Sequence, residues 1–352
     1  MQADLSLDPA DGAWPLDRSD FLGAIGEKAD LIRRGYEAGR AAAEPLSPAG
    51  LLFAGMGFSG ISSNLVKDAC TRALDIPFTI VKHYQFPHHV KPDWHTLAVS
   101  YSGETEETLE VTQEAVRRGV PVTSFSTGGT ISGLAAAKVV QPKGYQPRAA
   151  LAYAWFSLLG YLRGSGILDE EVPVDAVMEA VQAEDATCGP TVPEADNPAK
   201  QLARHLATPI PQIYATPAFY GVGLHFRGML NENAKKIADV DLVPECNHND
   251  LTGWGDDPNR AHFTAVALSH GAQHDQIHTR LAHMEERYRA WGVDWHHRQA
   301  RPIHTVQEHI VEQARAIQFL DYVSFYTAML RQEDPSEIRE IMGLKAKLRG
   351  GA

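Results

Sequence analysis

Three hydroxyl-bearing residues, Ser100, Ser102 and Thr105, crowd one short turn within Val-Ser-Tyr-Ser-Gly-Glu-Thr-Glu-Glu. Neutral donors beside the free N–H groups of a starting helix suit a phosphate, and Gly103 lets the backbone come close to it. One hydroxyl is enough to cap a helix, so three exceed what capping asks. A second glycine turn precedes it by one strand–helix–strand step: Gly55-Met56-Gly57-Phe58-Ser59-Gly60. A lone pattern of this kind is weak evidence, and no acidic residue stands at the later position of a ribose ligand. Its weight comes from the turn at 100–105, because two cradles can converge on one phosphate. Arg148, in Gln-Pro-Arg at the mouth of an apolar helix, is either an ion-pair anchor or an anion ligand.

The elements around these turns alternate. Short apolar runs at 51–54, 78–81, 97–99, 120–125 and 139–140 predict strands, and 61–73, 106–118 and 151–162 predict helices. The order strand, helix, strand implies a parallel sheet covered on both faces, with ligands outside the carboxyl ends of its strands. A helix is expected over 21–43. The stretch 164–197, rich in Asp, Glu, Pro and Ala, is expected to connect two units, with one helix around 174–184. A weak internal repeat follows. Residues 212–215 and a glycine-containing turn echo 51–60, and 264–271 followed by a helix to Trp291-Gly292-Val293 echoes 96–103 and Arg118-Gly119-Val120. In the copy Leu268, His270 and Gln273 stand for Ser100, Ser102 and Thr105. Residues 320–330 predict a buried helix, and 337–348 a last one ending in Lys345, Lys347 and Arg349. The expected organisation is a leader and helix (1–45), a phosphate-binding unit (46–165), a connection (166–197), a second unit (198–312) and C-terminal helices (313–352).

Composition narrows the partners. The net charge of −12 argues against nucleic acid or an anionic membrane as the main partner. No secretory signal and no membrane span is evident. Cys70, Cys188 and Cys246, far apart and without paired spacing, point to a reduced cytoplasmic setting. Nine of the 16 histidines fall between His262 and His309. His270, His274 and His278 have helical spacing that could form a metal face, but the charged surroundings favour a solvated helix face.

With Gly-Met-Gly-x-Ser-Gly ahead of it, Ser-Tyr-Ser-Gly-x-Thr-Glu-Glu-Thr resembles the sugar isomerase (SIS) domain. Asn231-Glu232-Asn233-Ala234-Lys235 and Pro244-Glu245-Cys246-Asn247-His248-Asn249-Asp250-Leu251-Thr252-Gly253-Trp254 are more specific and resemble the bifunctional phosphoglucose/phosphomannose isomerases. The resemblance implies an α/β fold of two SIS-type doubly wound parallel-sheet domains (tandem flavodoxin-like or Rossmann-like). It implies an aldose–ketose isomerase that interconverts glucose 6-phosphate, and mannose 6-phosphate, with fructose 6-phosphate through a cis-enediol, without metal or other cofactor. Gly57, Ser59, Ser100, Ser102 and Thr105 would hold the phosphate, Arg148 would steady the enediolate and Glu232 would be the base. His248 would assist ring opening, donated by the other subunit of a homodimer, and Lys345, with Lys347 as the alternative, would be the active-site lysine. A helical glutamate is usually solvated, but Asn231, Asn233 and the His248 stretch favour catalysis. Phe58 and Glu104 depart from the family pattern, and Glu104 sets an anion beside a proposed dianion site. The alternative, a non-catalytic sugar-phosphate-binding regulator, needs the cradle but no base, and no helix-turn-helix or basic stripe accompanies it.

Overall fold

The computed structural model describes residues 5–9, 12–348 and 350. Parts of the expected leader, and Arg349 at the expected helix end, lie outside that set. The first half runs α1 (Phe21–Gly26), α2 (Lys28–Ala42), β1 (Leu51–Ala54), α3 (Gly57–Cys70), β2 (Phe78–Val81), β3 (His95–Val99), α4 (Glu106–Arg117), β4 (Val122–Ser126), α5 (Gly129–Leu134), β5 (Ala137–Val140) and α6 (Leu151–Gly164). It continues with α7 (Val174–Cys188), α8 (Pro198–Leu206), β6 (Ile210–Ala215), α9 (Tyr220–Glu232), β7 (Asp239–Leu242), α10 (Asp250–Asp256), β8 (Phe263–His270), α11 (Asp275–Ala290), β9 (Asp294–Ala300), α12 (Val306–Leu330) and α13 (Arg339–Leu348).

Two all-parallel sheets result, ordered β2-β1-β3-β4-β5 and β7-β6-β8-β9. The order is the same over four strands, with β5 an extra edge strand of the first sheet, so the weak internal repeat is a repeat of topology. Matching glycine turns follow α4 and α11: Gly119 and Gly292 have φ of 73° and 77°. The N–H of Val120 donates to Ala115 O and that of Val293 to Tyr288 O, both at 2.9 Å. Only a residue without Cβ enters this left-handed position cheaply.

The period of two along each strand divides its side chains between two cores. Leu51 and Phe53 enter a large central core, while Leu52 and Ala54 enter an outer one with Val111, Ala115 and Ile131. In the second sheet Ile213 and Ala215 join the same central core, and Tyr214 packs outward with Met284, Tyr288 and Trp295. The two sheets are thereby joined through one shared layer of helices, to which α6 and α12 contribute buried residues along most of their length. Helix α12 starts at a capping box made by Thr305 and Glu308 and runs unbroken through position 313, where the C-terminal part was expected to begin.

Other details differ from expectation. The helix expected over 21–43 breaks at Glu27 into α1 and α2. Within 166–197 the expected helix around 174–184 is present and runs on to Cys188, with Val177, Val181 and Cys188 buried in the central core. The turn after β6 contains no glycine. It is Thr216 followed by the 3-10 turn Pro217–Phe219, and the glycines lie inside α9. The copy is also out of the expected register. Ala54 pairs with Ala98 and Ala215 pairs with Leu268, so His270, not Leu268, falls at the place of Ser100. Of the expected helical histidine face, His270 ends β8 and is buried, His274 is the N-cap of α11, and His278 alone lies on the helix. Burial beside other histidines pulls His270 down to about 4. Among the described residues no helix is long and apolar enough to cross a membrane.

Candidate active site

The first cradle is built by close backbone approach. Strand β1 ends at Ala54, and α3 starts just beyond it with Gly57 at φ 51° and no side-chain cap, so its first N–H groups remain available. A Cβ on Gly60 would stand 2.5 Å from Gly55 O, so this glycine is what lets the helix start against the strand end. The second cradle follows β3. Gly103 (φ 71°) turns the chain so tightly that a Cβ there would lie 1.9 Å from Gly128 O. The two turns touch: the N–H of Tyr101 donates to Ser59 Oγ at 3.4 Å. Ser100 and Thr105 share a 2.9 Å hydroxyl bond, and Ser100 Oγ also accepts from the Gly103 N–H at 3.2 Å. Ser102, at the exposed rim, accepts from the Glu104 N–H at 3.2 Å. Thr105 is the N-cap of α4 but makes no capping bond. Two helix N-termini and four hydroxyls therefore meet at the carboxyl ends of β1 and β3, a neutral pocket with positive dipole ends that suits a dianion.

The two departures from the family pattern are explained. Glu104 turns away from the cradle: its Oε1 accepts from the N–H of Thr130 at 2.7 Å and its Oε2 from the Thr130 hydroxyl at 2.9 Å, at the start of α5. Phe58 stacks edge-on against His225 of α9 at 5.6 Å and fills the space a side chain on Gly228 would need. It is an interlock between the two halves.

That interlock places Glu232. Helices α3 and α9 run antiparallel, because Phe58 meets Gly228 while Leu65 meets Gly221. Four residues past Gly228, at a rise of about 1.5 Å each, Glu232 projects about 6 Å beyond that contact, toward the starting end of α3 and its cradle. Glu232 is the last residue of α9. The expected helix to 237 stops there because the chain turns away at Lys235, with φ 49°, and Ile237 is exposed.

Arg148 meets this carboxylate. Its Nη1 donates to Glu232 Oε2 at 2.9 Å, its Nε to Asn233 Oδ1 at 2.6 Å and its Nη2 to Pro335 O at 2.5 Å, with Phe21 beneath the guanidinium at 5.2 Å. The Arg148 side chain is fully covered, while that of Glu232 retains 22% exposure. Of the two readings left open for Arg148, the structure shows the ion-pair anchor, and its partner is the candidate base. Burial pushes the Glu232 carboxyl above its ordinary value, against the opposing pull of Arg148, Lys345 and Lys235. Glu232 Oε1 has no hydrogen-bond partner among the described residues. Glu232 lines a cavity of about 510 Å³ together with Asn231, Lys235, Glu337 and Ile338, and no cradle residue borders it.

A supporting layer escaped sequence reading. Asn233 Nδ2 donates to Ser324 Oγ at 3.0 Å, and Ser324 donates to Asp321 O at 2.8 Å. The serine therefore turns the Asn233 carbonyl toward Arg148. Asp321 is itself buried between Lys28 and His225, the latter at 2.5 Å. The signal was present as two polar residues inside the apolar run 320–330, but only the packing of α12 on α9 reveals their partners. Of the two C-terminal lysines, Lys345 is the one whose charge bears on Glu232. His248 lies on an exposed 3-10 turn after β7 and makes no bond to Arg148 or Glu232 within the chain. Its segment is tied to the second sheet by Tyr214, whose hydroxyl donates to Asp250 Oδ2 at 2.7 Å.

The two parallel sheets and their helices are a fold of the sugar isomerase (SIS) type. A solved C-terminal domain of glucosamine-fructose-6-phosphate aminotransferase from Francisella tularensis superposes with a TM-score of 0.69 at 13% identity, covering 94% of this chain and 100% of that one. A glucose-6-phosphate isomerase like protein from Thermus thermophilus gives 0.63 at 17%, covering 95% and 98%. Residues 195–348 match the model of the bacterial phospho-glucose isomerase C-terminal SIS domain. Among curated proteins, a bifunctional phosphoglucose/phosphomannose isomerase of Aquifex aeolicus is 27% identical over 87% of this chain and 93% of its own length. One from Thermoplasma acidophilum is 28% identical over 85% and 89%. The similarity to the bifunctional phosphoglucose/phosphomannose isomerases thus runs over most of the chain, and the SIS-domain match covers its second half.

Proposed function

We propose that the protein interconverts glucose 6-phosphate, and also mannose 6-phosphate, with fructose 6-phosphate through a cis-enediol. The observation that carries this reading is the 2.9 Å pair of Arg148 and Glu232, set by the α3–α9 contact beyond a phosphate cradle. In this reading Ser59, Ser100, Ser102, Thr105 and the backbone at Gly57 hold the phosphate. Glu232 Oε1 moves the proton between C2 and C1. Oε2 is pinned by Arg148, which fixes the carboxylate plane and keeps a full positive charge next to the oxygen that becomes an enediolate. Because Arg148 is covered, it acts through Glu232 and through space. A sugar-phosphate sensor would need the cradle but not a carboxylate raised by burial.

Ring opening is assigned to His248 and Lys345. His248 would come from the second subunit of a homodimer, and in the same reading the active site lies between units 46–165 and 198–312. No metal or other cofactor enters these steps, and the three cysteines, all buried and unpaired, suit a cytoplasmic protein. The deciding experiment is turnover of a panel of hexose 6-phosphates, with fructose 6-phosphate as the expected product of both aldoses. Absence of isomerisation across the panel, with binding retained, would return the protein to the sensor class.

A further inference from the structure

Away from the cradle, the second sheet carries a group of donors that the isomerase reading does not use. Strand β9 is the edge of that sheet, paired only with β8, with Thr264 opposite Asp294 and Val266 opposite His296. Asp294 and His296 are two residues apart and so share one face of the strand, while Trp295 between them points into the opposite core with Tyr214 and Tyr288. His205, in the last turn of α8, meets that face. The rings of His205 and His296 lie 4.8 Å apart, centroid to centroid, and one ligand atom from each of His205, Asp294 and His296 falls within 4.8 Å of the others.

Two further observations give this group a direction. The Nε2 of His296 is shut away from solvent and has no hydrogen-bond partner among the described residues. A buried imidazole nitrogen without a partner carries a desolvation cost that a ligand to it would remove. The donors also sit where the carbonyl end of α8 carries its partial negative charge, which favours a cation.

We propose that His205, Asp294 and His296 form a site for a divalent transition metal ion of the zinc type, structural in role, that clamps the last turn of α8 to the edge strand β9. Two imidazoles and a carboxylate are a borderline donor set that suits zinc, cobalt or nickel over calcium or magnesium. Zinc with nitrogen and oxygen ligands at about 2.0–2.1 Å separates them by roughly 3.3 Å in a tetrahedron, so rotamer adjustment of the two exposed residues closes the present spacing. Water completes the fourth position on the open side. The site stands on an edge strand and a helix end, takes no part in the proton transfer assigned to Glu232, and does not depend on that assignment.

Cobalt(II) titration of the apo-protein tests it, because a four-coordinate site gives strong visible d–d bands that hexaaquo cobalt lacks. The expected result is one equivalent with those bands, displaced by zinc, and a rise in melting temperature with zinc. His205→Ala and Asp294→Asn, both at exposed positions, should each weaken binding about tenfold or more and abolish the zinc-dependent rise, with isomerase turnover unchanged. His296→Ala should do the same, but the two surface variants decide the matter if that one folds poorly. Titrations of His205→Ala and Asp294→Asn that superimpose on the parent would place any bound metal on other histidines and overturn the proposal.

Discussion

Replacing Glu232 by glutamine separates its two duties. The amide oxygen can still accept from Arg148 Nη1, now 2.9 Å from Oε2, and Asn233 and Pro335 still hold the other edges of the guanidinium. What changes is the loss of charge on one side of a covered pair. A hydrogen bond between charged groups is worth about 1.5–3 kcal/mol and a neutral one about 0.5–1.5, so the expected destabilisation is about 1–2 kcal/mol. Glu232→Ala would instead strand the covered guanidinium, at about 3–5 kcal/mol for a broken buried pair. Substrate affinity should persist in Glu232→Gln, because the cradle is untouched, while turnover falls by about a hundred- to ten-thousand-fold for a lost general base. The decisive assay is proton NMR of glucose 6-phosphate in deuterated buffer. The native protein should wash out the C2 proton and the variant should not. If Glu232→Gln exchanges that proton at near the native rate while folded and saturated, Glu232 is not the base, and His248 becomes the candidate.

Four other outcomes are expected. Ser102→Ala, at the rim, should raise KM for both aldoses with little change in kcat, by an amount equivalent to about 1–3 kcal/mol for a lost bond to a charged group; unchanged KM values in Ser100→Ala/Ser102→Ala would remove the phosphate assignment. Exhaustive chelation should leave isomerase activity intact, whereas activity lost to chelator and restored by zinc or manganese in the His205→Ala variant as well would require a metal step. Mixed dimers of Glu232→Gln and His248→Ala, reassembled after dissociation, should regain about a quarter of native activity, since one site in each heterodimer is whole; no regain would keep His248 out of the partner's site. Burial pushes the Asp68 carboxyl up to about 7 while its Oδ2 accepts from the Gly221 N–H at 2.6 Å. The folded chain then holds a proton that the unfolded chain releases near pH ~4, so this group's stabilisation falls as pH rises from there to about 7. Asp68→Asn should therefore raise the melting temperature more at about pH 8 than at about pH 5, and an equal shift at both would refute the sign.

How far the amino-acid sequence reaches is visible in particular elements. Local pattern alone placed β1 and β2 residue for residue and α4 within one residue, because an apolar run bounded by glycine or proline has few other conformations. It marked the cradle, since helix starts, hydroxyls and the Gly103 turn are properties of adjacent residues. The glycine turns after α4 and α11 likewise showed the repeat before the matching sheet orders did. Motif resemblance nominated Glu232, Arg148 and Lys345, with no sign of which of them would meet.

Tertiary structure decided everything that depends on residues far apart in the chain. That Arg148 pairs with Glu232, 84 positions on, follows from the antiparallel packing of α3 on α9 and from Pro335 closing over the guanidinium. That Glu104 turns away from the cradle depends on the N–H and hydroxyl of Thr130 in α5, and that Phe58 is tolerated depends on Gly228 across the shared core. The histidine-rich stretch shows the same limit in reverse: its i, i+4 spacing suggested one helix, yet the β8 ladder continued through His270 and buried it. Spacing along a chain sets which side chains can share a face only once the element is known, and here cross-strand hydrogen bonds chose the element.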